Sequence, residues 1–136
     1  MYWLQALILV GGTIFAWWMV SLESAAGMNI YASTCTYGAI AFAIALIMAL
    51  YLLTARNRAA QKWLTWLLGL GAIFGWSNFA YKVWQYYQGA VCASCPPVTL
   101  PGFSIFPPLG SPCFYGASLF TLAFIVAILI YLRKNK

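Results

Sequence analysis

The chain has 136 residues, 65% of them hydrophobic and only 6% charged, with a mean hydropathy of +0.87; soluble domains carry roughly 25% charged residues, and so short a chain cannot hide this much apolar surface in a soluble fold. A single acidic residue and no histidine exclude histidine-ligated haem, His-based acid–base catalysis, carboxylate metal sites and carboxylate proton relays. The net charge of +6 does not point to nucleic acid, because six of the seven basic residues flank apolar segments, which makes the lipid bilayer the expected environment.

The first apolar window, Tyr2 to Leu22, is free of charge and about 20 residues long, the length a membrane crossing needs. No basic residue precedes it and no short h-region ends in a small-residue cleavage site, so a retained helix is expected over 2–22. A connection at 23–34 follows, holding Glu23, the sole acid. The second window, 35–55, opens on Ser33-x-Cys35-x-Tyr37-Gly38-Ala39 and carries Ala41, Ala45 and Ala49, small residues at a spacing that lets helices approach. Arg56, Arg58 and Lys62 mark a short turn before a third helix over 63–86, whose Gly69, Gly71 and Gly75 form a second small-residue series.

The next connection, 87–112, contains all six prolines and Cys92-Ala-Ser-Cys95, and its proline-rich stretches favour extended and turn conformations over helix. The fourth helix is expected over 113–132, followed by Arg133, Lys134 and Lys136. Basic residues in short connections stay cytoplasmic, so the turn after the second helix and the C-terminal tail face inward. With four spans the N-terminus is also inside, and the connections at 23–34 and 87–112 are outside. Trp and Tyr residues gather at both expected interfaces: Tyr2, Trp3, Trp63 and Trp66 inside, Trp17, Trp18, Tyr81, Trp84, Tyr86 and Tyr87 outside.

The chain also matches itself. Ser33, Cys35, Tyr37, Gly38, Ala39, Phe42, Ala45, Ala49 and Asn57 recur 78 residues later as Ser111, Cys113, Tyr115, Gly116, Ala117, Phe120, Ala123, Ala127 and Asn135. Gly12 to Trp17 resembles Gly71 to Trp76 at an offset of 59, which also aligns Glu23 with Lys82. The expected architecture is therefore an all-α bundle of four transmembrane helices in one domain, built from two parallel helical hairpins about an axis near the membrane normal. The hairpins should superpose, with Cys35 and Cys113 at one depth and the glycine after each Tyr admitting a neighbouring backbone.

With other chemistry absent, sulfur remains. All four cysteines fall on the outer side, where disulfides form and persist. Cys35 and Cys113 stand at helix starts, where the positive helix end lowers a thiol's pKa and favours exchange. Cys92 and Cys95 have a CxxC spacing. Four cysteines allow three connectivities; the repeat favours Cys35 with Cys113 and Cys92 with Cys95, and leaves the others open. A direct Cys35–Cys113 bond requires Cα atoms roughly 4.4–6.8 Å apart. Two inert disulfides that staple the proline-rich loop are the plainer alternative. One CxxC with distant partners is a poor zinc signature, and no metal is expected.

A small four-helix bundle with cysteines at the outer helix ends and a second pair in an outer loop resembles the DsbB and vitamin K epoxide reductase group of membrane thiol oxidoreductases. That resemblance implies electron transfer from a secreted thioredoxin-like protein, through a loop pair, to a membrane pair beside a quinone. Cys92 and Cys95 would then face the partner, with Cys35 and Cys113 near the quinone between Trp76, Tyr115 and the helix-start cysteines. In that group the membrane pair is itself a CxxC at one helix start, whereas here the helix starts carry single cysteines. Lys82 is the outer basic residue that the group places near quinone, or else an ion-pair partner for Glu23. The competing class is an accessory subunit of a larger membrane complex whose outer loop docks and whose disulfides only stabilise. A transporter is disfavoured by the lack of a polar or ionisable residue near mid-membrane to mark a substrate path; Thr65 and Asn78 are the nearest candidates and do not suffice.

Overall fold

The computed structural model describes residues 1–25, 27, 29–88 and 112–133. They form four α-helices, α1 (Tyr2–Ala25), α2 (Thr34–Ala55), α3 (Arg58–Tyr87) and α4 (Pro112–Arg133), with a single 3-10 turn at Ile30–Ala32 before α2. All four expected helices are present, and three of them, α1, α2 and Phe114–Arg133 within α4, are long and apolar enough to cross a membrane. The fourth, α3, is the longest at 30 residues, but Arg58, Gln61, Lys62, Asn78, Lys82 and Gln85 interrupt its apolar run.

Two boundaries differ from expectation, the first being that α1 runs on to Ala25 and carries Glu23 on its last turns instead of leaving it in the connection. Helix α3 starts at Arg58 rather than at 63, so Arg58 and Lys62 lie on its first turns and the connection shrinks to Arg56 and Asn57. The cause is local capping, which an apolar window does not register. The Asn57 side chain accepts the Ala59 N–H at 2.9 Å and starts α3. Arg56 closes α2 in the left-handed region (φ 43°), donating its N–H to the Leu52 carbonyl at 3.2 Å.

The helices form a four-sided bundle. Helices α1 and α3 each pack on α2 and α4, and α2 and α4 also touch across the diagonal. The buried seam of α2 is Ala39, Phe42, Ala45, Ala49 and Leu52; that of α4 is Ala117, Phe120, Ala123, Ala127 and Ile130. Both seams step by three or four residues, the spacing that keeps one helical face against its neighbours. Alanine dominates them, so the helix axes come close, and large apolar side chains such as Leu7, Ile14, Ile47, Ile73 and Leu122 point outward. This inversion, small within and large without, suits a lipid surround.

Contacts recur at the two sequence offsets. The rings of Phe42 and Phe120 stack across the diagonal, 3.9 Å apart with 24° between planes. Against each lies a glycine: a Cβ at Gly12 would stand 2.4 Å from Phe42, and one at Gly71 would stand 2.6 Å from Phe120. A Cβ at Gly69 would be 3.0 Å from Phe124, and one at Gly75 would be 3.1 Å from the Ala117 backbone. The small-residue series of α3 is thus a packing surface. Gly38 and Gly116, expected to admit a neighbouring backbone, do not: nothing lies within 4 Å of a Cβ at either.

Polar side chains mostly satisfy themselves on their own helix. Thr13, Thr65, Ser118 and Thr121 each donate to the carbonyl four residues earlier, at 2.7–2.8 Å. Gln5 departs from this pattern, being 1% exposed with neither side-chain polar atom hydrogen-bonded. Such a group costs about 1–3 kcal/mol. Gln61, equally buried, donates to the Ala127 carbonyl at 3.3 Å. Neither glutamine stood out in the sequence, because both sit near helix starts where polar residues are ordinary.

Candidate functional site

The end of the bundle where α2 begins is organised by Ser33. Its hydroxyl oxygen caps α2 by accepting the Cys35 N–H at 3.1 Å, while its O–H donates to the carboxylate of Glu23. Glu23, the sole acid, is only 5% exposed on the last turns of α1. The 3-10 turn is fixed at both ends: Asn29 accepts the Tyr31 N–H at 3.1 Å, and Tyr37 donates its hydroxyl to the Tyr31 carbonyl at 3.1 Å. The polypeptide between α1 and α2 is thus tied to the first turns of α2, and Cys35 is held at the second position of that helix.

Cys35 borders two cavities of opposite character. One, about 320 Å³, is lined by Glu23, Asn29, Ala32, Ser33, Thr34, Cys35 and Lys82, so the two charged residues aligned by the offset of 59 share a cavity. The other lies inside the bundle and is almost wholly apolar, with Phe15, Met19, Phe42, Phe74 and Phe120 among its walls and Asn78 as a polar member. It is partly open, and its space is about 60 Å³, room for a few waters at most. It shares Thr34, Gly38, Gly71, Phe74, Asn78 and Phe120 with a groove of about 570 Å³ between α2 and α3.

Tyr37 and Tyr115, 78 residues apart, take different roles, and Tyr37 is one of the residues lining the groove. Tyr115 packs its ring on Phe15 at 5.9 Å and on Phe114 at 5.6 Å, filling the seam between α1 and α4. Tyr37 instead reaches out to Tyr31 and is 58% exposed. Asn78 donates to the Phe74 carbonyl at 2.8 Å, which fixes its amide beside the groove. Trp76, expected near the cysteines, packs edge-on to Phe79 and Phe114 and donates to Thr121 at 2.9 Å. Neither Trp76 nor Tyr115 lines the cavity beside Cys35.

Cys113 occupies the second position of α4, as Cys35 does of α2; its side chain, and all of Cys92 and Cys95, lie outside the described residues. The pairing of the four cysteines therefore rests on the sequence. Comparison of the chain with protein-family models, with curated proteins and with solved structures gives no match.

The Ser33 link is a measurable part of this end. Ser33→Ala removes the α2 cap and the hydrogen bond to a buried carboxylate together. A cap alone is worth about 1 kcal/mol and a hydrogen bond to a charged group about 1.5–3 kcal/mol. Ser33→Ala should therefore lower stability more than Asn57→Ala, which removes a cap alone. Unfolding midpoints in detergent read the difference, and equal midpoints would show that the carboxylate contact adds nothing.

Proposed function

We propose that this chain is a four-span membrane protein, with both termini cytoplasmic, that oxidises a secreted thioredoxin-like dithiol and passes the electrons to a membrane quinone. The observation carrying this reading is the setting of Cys35 between a polar cavity at the bundle end and an apolar cavity that shares six lining residues with the α2–α3 groove. A thiol so placed meets a water-borne partner on one side and a lipid-borne acceptor on the other. The apolar cavity is too small for a quinone ring, so the ring would lie in the groove with Asn78 as its polar contact.

Following the resemblance, Cys92 and Cys95 receive electrons from the partner, and Cys35 and Cys113 pass them on. Each cycle converts two partner thiols to a disulfide and one quinone to a quinol; two electrons and two protons move, and the protein's cysteines return to their starting state. Paired contacts at the offsets of 59 and 78 support a duplicated hairpin. Exposed Trp3, Trp63 and Trp66 at one end and Trp17, Trp18, Tyr81 and Trp84 at the other suit two bilayer interfaces. Three helices long and apolar enough to cross a membrane support the same location.

Mixing purified protein with a reduced thioredoxin-like substrate and a quinone should deplete quinone absorbance in step with substrate oxidation. No turnover with a panel of quinones would remove the enzyme reading. Mild dithiothreitol separates the remaining possibility, since redox-active pairs are reduced by it and buried structural ones resist. If every disulfide survives in the intact membrane, the chain is an accessory subunit of a larger membrane complex.

A further inference from the structure

Three spaces meet at the Ser33 end of the bundle: the polar cavity beside Glu23, the apolar cavity beside Cys35 and the groove between α2 and α3. Among the described residues, Thr34 alone borders all three. It is the first residue of α2, directly after the Ser33 cap. Because the Ser33 hydroxyl already receives the Cys35 N–H, helix formation makes no demand on that of Thr34, which has no hydrogen-bond partner among the described residues. We propose that the Thr34 hydroxyl carries a proton from the polar cavity to a quinone oxygen in the groove.

Electrons leave through the cysteines, but protons need exchangeable groups in reach of both water and the ring. The groove offers few, its polar side chains being Thr34, Tyr37 and Asn78. Asn78 and Tyr37 donate to the carbonyls of Phe74 and Tyr31, and neither borders the polar cavity. On the polar side, Glu23 of α1, Cys35 of α2 and Lys82 of α3 are the titratable side chains in the wall, and none of them lines the groove. The polar cavity, about 320 Å³, has room for about ten waters at about 30 Å³ each. Thr34 is thus the side chain that joins that water to the space of the ring. Such a relay has a task only if the quinone reading above holds.

The proton balance closes. Reduction of one quinone takes up two electrons and two protons, equal to those that leave two partner thiols as they join in a disulfide. Thr34 delivers one of the protons: it gives its hydroxyl hydrogen to a quinone oxygen and regains one from water in the polar cavity, so one O–H bond breaks and one forms at each transfer. Tyr37, 58% exposed while lining the same groove, marks where outer water reaches the second oxygen. The plainer account is that Thr34 lends only its methyl group to the walls. A valine would do that equally well, which makes valine the deciding substitution.

The test compares the full-length parent with Thr34→Val and Thr34→Ser in detergent, using ubiquinone and menaquinone analogues and a reduced thioredoxin-like dithiol. Thr34→Val should lower kcat for quinone reduction about a hundred-fold, the lower end of what a positioned proton donor contributes, while KM stays at the parental value. Its solvent deuterium isotope effect should exceed the parent's, because proton delivery becomes the slow step. Thr34→Ser keeps the hydroxyl and should restore most of the rate. Two readouts that do not depend on turnover should stay parental in Thr34→Val: the unfolding midpoint, and quinone affinity measured by quenching of tryptophan fluorescence. A parental kcat in Thr34→Val would overturn the relay and leave the quinone reading standing. Equal losses in Thr34→Val and Thr34→Ser, or a loss explained by weaker quinone binding, would reduce Thr34 to a wall residue. A parent that reduces none of the quinones would instead refute the reading beneath, and the relay with it.

Discussion

Phe42→Ala is expected to lower unfolding stability by about 3 kcal/mol, and Phe120→Ala by a similar amount. Phe→Ala in a packed core costs about 3–5 kcal/mol in soluble proteins. The lower end applies to a bundle in lipid, where the unfolded reference is already apolar and the loss is mainly packing. Each ring is at most 5% exposed, stacked on its counterpart and pressed against a helix glycine. The glycines give the reciprocal test. Gly12→Ala gains about 1 kcal/mol of helix propensity, yet puts a Cβ 2.4 Å from a ring whose far face is blocked at 3.9 Å. Overpacking of about 1–3 kcal/mol should therefore win, and Gly12→Ala should destabilise. Adding Phe42→Leu should recover part of the loss. The rings touch, so Phe42→Ala and Phe120→Ala should not be additive; detergent-denaturation midpoints for the double-mutant cycle measure the coupling. Additive losses, or a stabilising Gly12→Ala, would sink this account of the core.

Helix number and the approximate spans were legible because they depend on apolar runs of about 20 residues, which four windows supply. The packing residues were legible in part. Ala45, Ala49, Gly69, Gly71 and Gly75 announced themselves by small size at helical spacing, and each is buried or pressed against a neighbour. Gly38 and Gly116 shared that signature without the contact, because spacing gives the face a residue occupies but not what stands opposite. The start of α3 was misplaced for another reason: the Asn57 cap overrides the charge of Arg58 and Lys62, and a hydropathy window cannot see a cap. The surroundings of Cys35 were the least legible. Phe74, Asn78 and Gly38 come together from two helices, and Tyr37, which lines the same groove, turns outward where Tyr115 turns inward. Identical residues in matched sequence contexts gave no hint of that difference, which arises from the carbonyl of Tyr31 being within reach of Tyr37.

Gly38→Leu is expected to raise the quinone KM at least about ten-fold, close to 1.4 kcal/mol of lost binding, without harming the fold. Gly38 borders both the apolar cavity beside Cys35 and the groove between α2 and α3, and nothing lies within 4 Å of the Cβ it lacks. A leucine there would enter open space rather than a neighbour, and would add up to about 1 kcal/mol of helix propensity. The variant should therefore be at least as stable as the parent while its side chain occupies the proposed path of the ring. Gly11→Leu is the control, since Gly11 also has nothing within 4 Å but is exposed and borders neither space. Oxidation of the dithiol partner in a single turnover without quinone should be unchanged in both variants, because in the proposed reaction Cys92 and Cys95 carry out that step before any electron reaches the groove. A KM rise confined to Gly38→Leu places the acceptor in the groove. Equal kinetics for Gly38→Leu, Gly11→Leu and the parent would mean that electrons leave by another route, and the groove between α2 and α3 would then have no part in the reaction.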